Sequence, residues 1–179
     1  MKETERKLIC ELMKNSRRSD RDLAKALKVS QPTVTRIRSR LEKEGYIREY
    51  TMIPSFARLG YELMAITFVK LKRVLSEEEI EDARKIAKER LEKTSLPFFM
   101  LERGMGLGYQ GVIISFHESY ASYLALREWL REFTFLEISE IESFLVNLKD
   151  KVSYAPPTFK LIAKHLETLG EKQGKEKKQ

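Results

Sequence analysis

The 179-residue sequence has one cysteine, two histidines, one tryptophan and two asparagines. A single cysteine excludes an internal disulfide and suits a reducing compartment, so the expected location is the cytoplasm. Cys10 lies on the apolar side of a helical pattern, where a small core side chain is the plain reading. His117 and His165 stand alone, so the expectation is no metal, no cofactor and no enzyme. Neither a nucleophile–base pair nor paired carboxylates are discernible. No run of 18 apolar residues occurs, which excludes a membrane-spanning helix and predicts no membrane partner. The charged opening MKETERK predicts no signal peptide. Abundant Lys and Glu beside so few Asn is a pattern of hot habitats.

Acidic charge is scarce in the first third. Residues 1–60 hold 15 Lys and Arg against 8 Asp and Glu, whereas residues 61–179 hold 19 of each. The whole excess of the chain therefore lies in one region, and a polyanion is the partner it implies.

A second apparent signal fails on its context. GLGYQG, residues 106 to 111, has the G-x-G-x-x-G spacing of a dinucleotide-binding loop. That loop works only between a strand and a helix, whose N-terminus meets the pyrophosphate. Here PFFMLER precedes it and VIISF follows, both strand-like, so the glycines predict a hairpin instead.

The patterns divide the chain into five parts. Residues 1–54 read as a helix-turn-helix domain, with three helices and a wing-type hairpin over Tyr46 to Pro54. Residues 55–61 read as a connector. Residues 62–154 alternate as β-α-β-β-α-β, the ferredoxin-like order, and residues 155–170 as a further helix. Residues 171–179 read as a disordered basic tail. The fold class is thus α+β. Apolar strand runs such as MAITFV and VIISF predict that the open face of the sheet meets another sheet, giving a homodimer or higher oligomer. The terminal helix is the other candidate cover for that face.

The segment QPTVTRIRSRLEKEG carries the most chemistry. On a helical wheel Val34, Ile37 and Leu41 form one side. Pro32, Thr35, Arg36 and Ser39 oppose them, with Gln31, Thr33, Arg38 and Arg40 on the flanks. A narrow, polar, cationic face is what a helix in the major groove needs to reach base edges and grip phosphates. Arg17, Arg18 and Arg21 surround the start of the preceding helix, where backbone phosphates would lie. Double-stranded DNA is the implied partner.

LICELMKNSRRSDRDLAKALKVSQPTVTRIRSRLEKEGYIREYTMIP resembles the helix-turn-helix of the Lrp/AsnC family of prokaryotic transcription regulators, most sharply in LAKALKVSQPTVTRIRSRLEKEGYI. The resemblance implies Gln31, Thr33, Thr35, Arg36 and Arg40 as DNA contacts, and dimers or octamers built through the C-terminal sheets. It implies a transcription regulator. A chromatin-organising protein, or one that docks on transcription machinery with little sequence preference, is the alternative. Amino-acid-sensing members carry a Gly-Asp-Tyr-Asp-like stretch where this chain has Gly108, Tyr109, Gln110 and Gly111. Those four are the candidate ligand residues for a small-molecule effector of unknown kind. With no acid among them to neutralise an ammonium group, free amino acids are not the expected ligand.

Overall fold

The computed structural model describes residues 1–152 and 154–176. Three helices open the chain: α1 (Glu3–Lys14), α2 (Asp20–Leu27) and α3 (Gln31–Lys43). Local chemistry sets their ends. Ser19 accepts the Asp22 N–H at 3.1 Å and Ser30 accepts the Thr33 N–H at 3.4 Å, each satisfying a donor that the helix start leaves open. Pro32 falls in the first turn of α3, where a missing N–H costs nothing. Lys28 closes α2 in the left-handed conformation (φ 55°), and Gly45 (φ 74°) follows α3 in the same region. The Lys28 turn lets the Val29 N–H reach the Ala24 carbonyl at 3.1 Å, so α2 and α3 join tightly.

Leu8, Leu12, Leu23, Ala24, Val34, Ile37 and Leu41 form the core of this three-helix unit. Each is the apolar position its helical period assigns. The expected hairpin over Tyr46 to Pro54 is corrected: no strand ladder forms there. The stretch holds no Gly, Asn or Asp to turn a short hairpin, so it runs as an irregular segment. Side chains hold it instead, with Ser16 Oγ donating to the Thr51 carbonyl at 3.1 Å and Tyr50 Oη to Glu42 Oε1 at 2.7 Å.

The terminal helix, α6 (Lys160–Glu176), packs on α1 and belongs with this unit. Lys14 Nζ donates to Glu167 Oε1 at 2.5 Å, and Ala163 is fully buried. The expectation of disorder over 171–179 is corrected through Glu176, because Glu, Lys and Gln are strong helix formers that extend the helix past Gly170. Residues 177–179 lie outside the described residues.

The second unit spans Pro54–Val152. Its strands β1 (Leu63–Leu71), β2 (Phe98–Gly106), β3 (Tyr109–His117) and β4 (Ile138–Asn147) form an antiparallel sheet in the order β2-β3-β1-β4. The helices α4 (Glu77–Lys93) and α5 (Tyr120–Arg131) complete the β-α-β-β-α-β order. Leu107 and Gly108 make the β2–β3 turn with φ of 54° and 83°. Positive φ at both central residues matches the right-handed twist of a hairpin, which is why a glycine is needed there. The connector is not a free linker. Its 3₁₀ turn, Phe56–Leu59, stacks Phe56 on Phe116 with ring centroids 3.7 Å apart.

Alternation sorts the strand side chains onto two faces. Val69, Ile113 and Ile141 meet Leu126 and Leu130 of α5 in the core. Phe68, Ile114 and Phe144 lie on the opposite face, where Phe144 is 66% exposed. Ser76 opens α4 with a capping box to Glu79, yet no residue of this helix is fully buried.

Candidate nucleic-acid interface

The α3 helix presents the face its sequence period implies. Val34, Ile37 and Leu41 are buried, whereas Gln31, Pro32, Thr35, Arg36, Ser39 and Arg40 are exposed and Thr33 and Arg38 half-buried. Its first turn contains no acid, and Ser30 caps it with a second hydroxyl contact, Oγ to Thr33 Oγ1 at 2.8 Å.

Tertiary pairing divides the arginines into two groups. Arg38 Nη2 lies 2.6 Å from Asp20 Oδ1, and its guanidinium stands 5.7 Å from the Tyr50 ring centroid. Arg40 pairs with Glu5, and Arg18 pairs with Glu11. These three tie helices together. Arg17, Arg21 and Arg36, by contrast, have no ion pair among the described residues, and all three are exposed. They are the side chains most open to a polyanion.

Asp20 is the residue the sequence reading missed. Besides Arg38, it accepts a hydrogen bond from Thr35 Oγ1 at 2.6 Å, so one carboxylate at the first turn of α2 braces two residues of α3. Its only visible signal is an acid directly after the Ser19 cap, which ordinarily serves the helix dipole. Glu5 plays a similar part for α1. The Lys2 backbone N–H, at 2.7 Å, and the Arg40 guanidinium hold its carboxyl below the ordinary range against the cost of burial. Burial and the Glu42 carboxylate push the Tyr50 phenol up to about 12, so it remains a hydrogen-bond donor at neutral pH.

The four candidate ligand residues of the hairpin part company. Gly108 serves the turn. The Tyr109 ring lies 5.7 Å from Phe68 and 6.0 Å from Lys70 Nζ, near Glu142 and Glu140. Lys70 is itself paired with Glu140 at 3.1 Å. Gln110 and Gly111 instead line a cavity between α4 and the sheet, and Gln110 Oε1 accepts the Leu71 N–H at 2.9 Å. Among the described residues no cluster of His, Cys, Asp and Glu could hold a metal ion. No helix there is long and apolar enough to cross a membrane.

Residues 1–48 match the winged helix-turn-helix DNA-binding family. An HTH-type transcriptional regulator of Pyrococcus abyssi is 38% identical over 68 residues, which is 38% of this chain and 46% of that protein. A second, from Pyrococcus furiosus, is 35% identical over 89 residues, covering 50% of this chain and 57% of the relative. The chain thus spans about half the length of the curated relatives it matches. The crystal structure of PH0061 of Pyrococcus horikoshii superposes with a TM-score of 0.67 at 23% identity, over 88% of this chain and 98% of that one. Escherichia coli AsnC gives 0.64 at 21% identity, over 87% and 97%. Residues 1–48 are therefore similar to a winged helix-turn-helix DNA-binding module. Over 87–88% of the chain the fold is like that of PH0061 and AsnC.

Proposed function

We propose that this chain is a sequence-specific DNA-binding transcription regulator acting as a dimer or higher oligomer. The observation that carries the reading is the α3 face, where Gln31, Thr35, Arg36 and Ser39 are exposed over a core of Val34, Ile37 and Leu41. Gln31 and Arg36 read base edges in the major groove, amide and guanidinium groups being the side chains suited to adenine and guanine. Arg17 and Arg21 hold phosphates and supply the salt-dependent part of the affinity. Arg38, Arg18 and Arg40 set the geometry of the reading helix through their carboxylate partners.

One helix-turn-helix covers a single half-site, so useful affinity needs a second copy about one DNA turn away. The apolar face with Phe68, Ile114 and Phe144 is the surface suited to pairing sheet on sheet. Competition between a fragment upstream of the protein's own gene and bulk DNA tests the reading. A specific regulator should favour its site by at least about 10³. Equal affinity for both would favour a DNA-organising role instead.

A further inference from the structure

The α4 helix and the sheet leave an open cavity of about 710 Å³ between them. Protein interiors are close-packed, with few voids larger than a water molecule. Ligand pockets, by contrast, occupy ~300–1,000 Å³ and are lined mainly by apolar side chains. Here the lining is apolar on three sides: Ile80, Ala87 and Leu91 from α4, Val69 and Ile113 from the sheet, and Trp129 from α5. The α4 stripe is only half-buried, whereas α5 buries Tyr123, Leu126 and Leu130. The floor is lowered by Gly111, which pairs with Val69 on one side and Arg103 on the other. A Cβ there would stand 3.4 Å from the Val69 Cβ.

The charges at this cavity are unequal. Arg84 and Lys88 lie one turn apart on α4, and Arg103 comes from β2. Among the described lining residues Glu92, one turn from Lys88 on α4, is the carboxylate side chain that partly offsets them. Glu102 also borders the cavity but pairs with Val112, on the other face of the sheet from Arg103, so its backbone alone contributes. Arg84 makes an exposed contact with Glu81 at 3.5 Å, while Lys88 and Arg103 have no ion pair among the described residues.

We propose that this cavity binds an amphiphilic anion, an aliphatic chain seated between α4 and the sheet with its anionic head at Lys88 and Arg103. Gln110 and Gly111 are then ligand-site residues, within one subunit and for a ligand unlike a free amino acid. The regulator reading would make this ligand an effector, but the binding itself does not depend on that reading.

Calorimetric titration of the full chain with octanoate, decanoate and dodecanoate, below micelle-forming concentrations, tests the proposal. Saturable binding should tighten with chain length, by up to about fourfold per methylene, the equivalent of ~0.8 kcal/mol. Ala87→Phe fills the cavity and should weaken dodecanoate at least about tenfold. The same variant should raise the Tm of the ligand-free protein by roughly 2–4 °C, the size expected for a gain in packing. Lys88→Gln combined with Arg103→Gln should remove the preference for dodecanoate over neutral dodecanol. Dodecyl phosphate separates the two head groups: either anion binding better than dodecanol supports the site. Absence of saturable binding would overturn the proposal, as would binding unchanged by Ala87→Phe or a fall in Tm with that variant, which would mean α4 closes on the sheet. No DNA is present in these measurements, so their outcome is separate from that of the operator test.

Discussion

The helix-turn-helix unit and the ferredoxin-like unit use apolar residues in opposite ways. In the first, seven side chains are buried in one cluster across three short helices, and ion pairs through Asp20, Glu5 and Glu11 lock the basic helices in place. In the second, the main cluster has four buried members, α4 buries none, and Phe144 stands in the open on the far face of the sheet. Dense packing and ion pairing hold the exposed α3 face at a fixed geometry. The second unit, by contrast, leaves apolar surface uncovered.

The largest effect expected from this contrast is on stability. Leu41→Ala removes a fully buried side chain and should cost about 2–5 kcal/mol, read from denaturant unfolding of the first unit. Leu91→Ala, at a half-buried α4 position, should cost roughly 1 kcal/mol or less. Equal losses at the two sites would break the contrast.

Next comes DNA affinity. Arg36→Ala should lose about 1–3 kcal/mol and relax specificity at one base pair. Arg17→Ala should weaken all sequences alike and flatten the salt slope by about one unit. Arg38→Ala sharpens the test. It should disturb folding as well as binding, because its guanidinium is held by Asp20; a purely electrostatic loss would assign it to phosphate after all.

A smaller effect concerns pH in the second unit. His117 is fully buried on β3 with Nε2 2.8 Å from Ser115 Oγ, and burial pulls its pKa below the ordinary 6.5, against the opposing pull of Glu118 and the Ser122 backbone. The unfolded chain therefore binds a proton at a higher pH than the folded one. The contribution of neutral His117 is complete above pH 6.5 and is lost as pH falls from there toward the lowered folded value. Thermal melts should show that decline, and His117→Gln should reduce its slope. A slope unchanged in the variant would assign the acid sensitivity elsewhere.

The smallest expected effect is none at all. A thermal-shift screen of the twenty free amino acids should leave Tm unmoved, although a ligand at 100 times its Kd would add about 2.7 kcal/mol. The Glu140 carboxylate near Tyr109 is already paired with Lys70, which leaves it poorly placed to neutralise an ammonium group. A saturable shift with any amino acid would show that the hairpin binds one.

Much of the first unit was legible because its determinants are local. Ser19, Ser30, Pro32 and Gly45 mark helix ends by their own backbone chemistry, and the 3.6-residue period places Val34, Ile37 and Leu41 inside. The hairpin reading of GLGYQG also rested on neighbours in sequence. The wing did not follow, since Tyr46 to Pro54 needed a turn residue that this stretch lacks. The terminal helix runs past the end its composition implies, because helix-forming residues outweigh a basic, glycine-containing composition.

By itself, then, the sequence determined the polar, cationic face of α3, the segregation of positive charge, the strand and helix order and the glycine turn. Each of these depends on period, composition or the backbone preference of single residues. Tertiary structure alone decided which arginines are free, that Asp20 braces α3, that α6 lies on α1 and that α4 stands clear of the sheet. Those outcomes depend on which groups distant in sequence come within a few ångströms, and neither periodicity nor propensity records that distance.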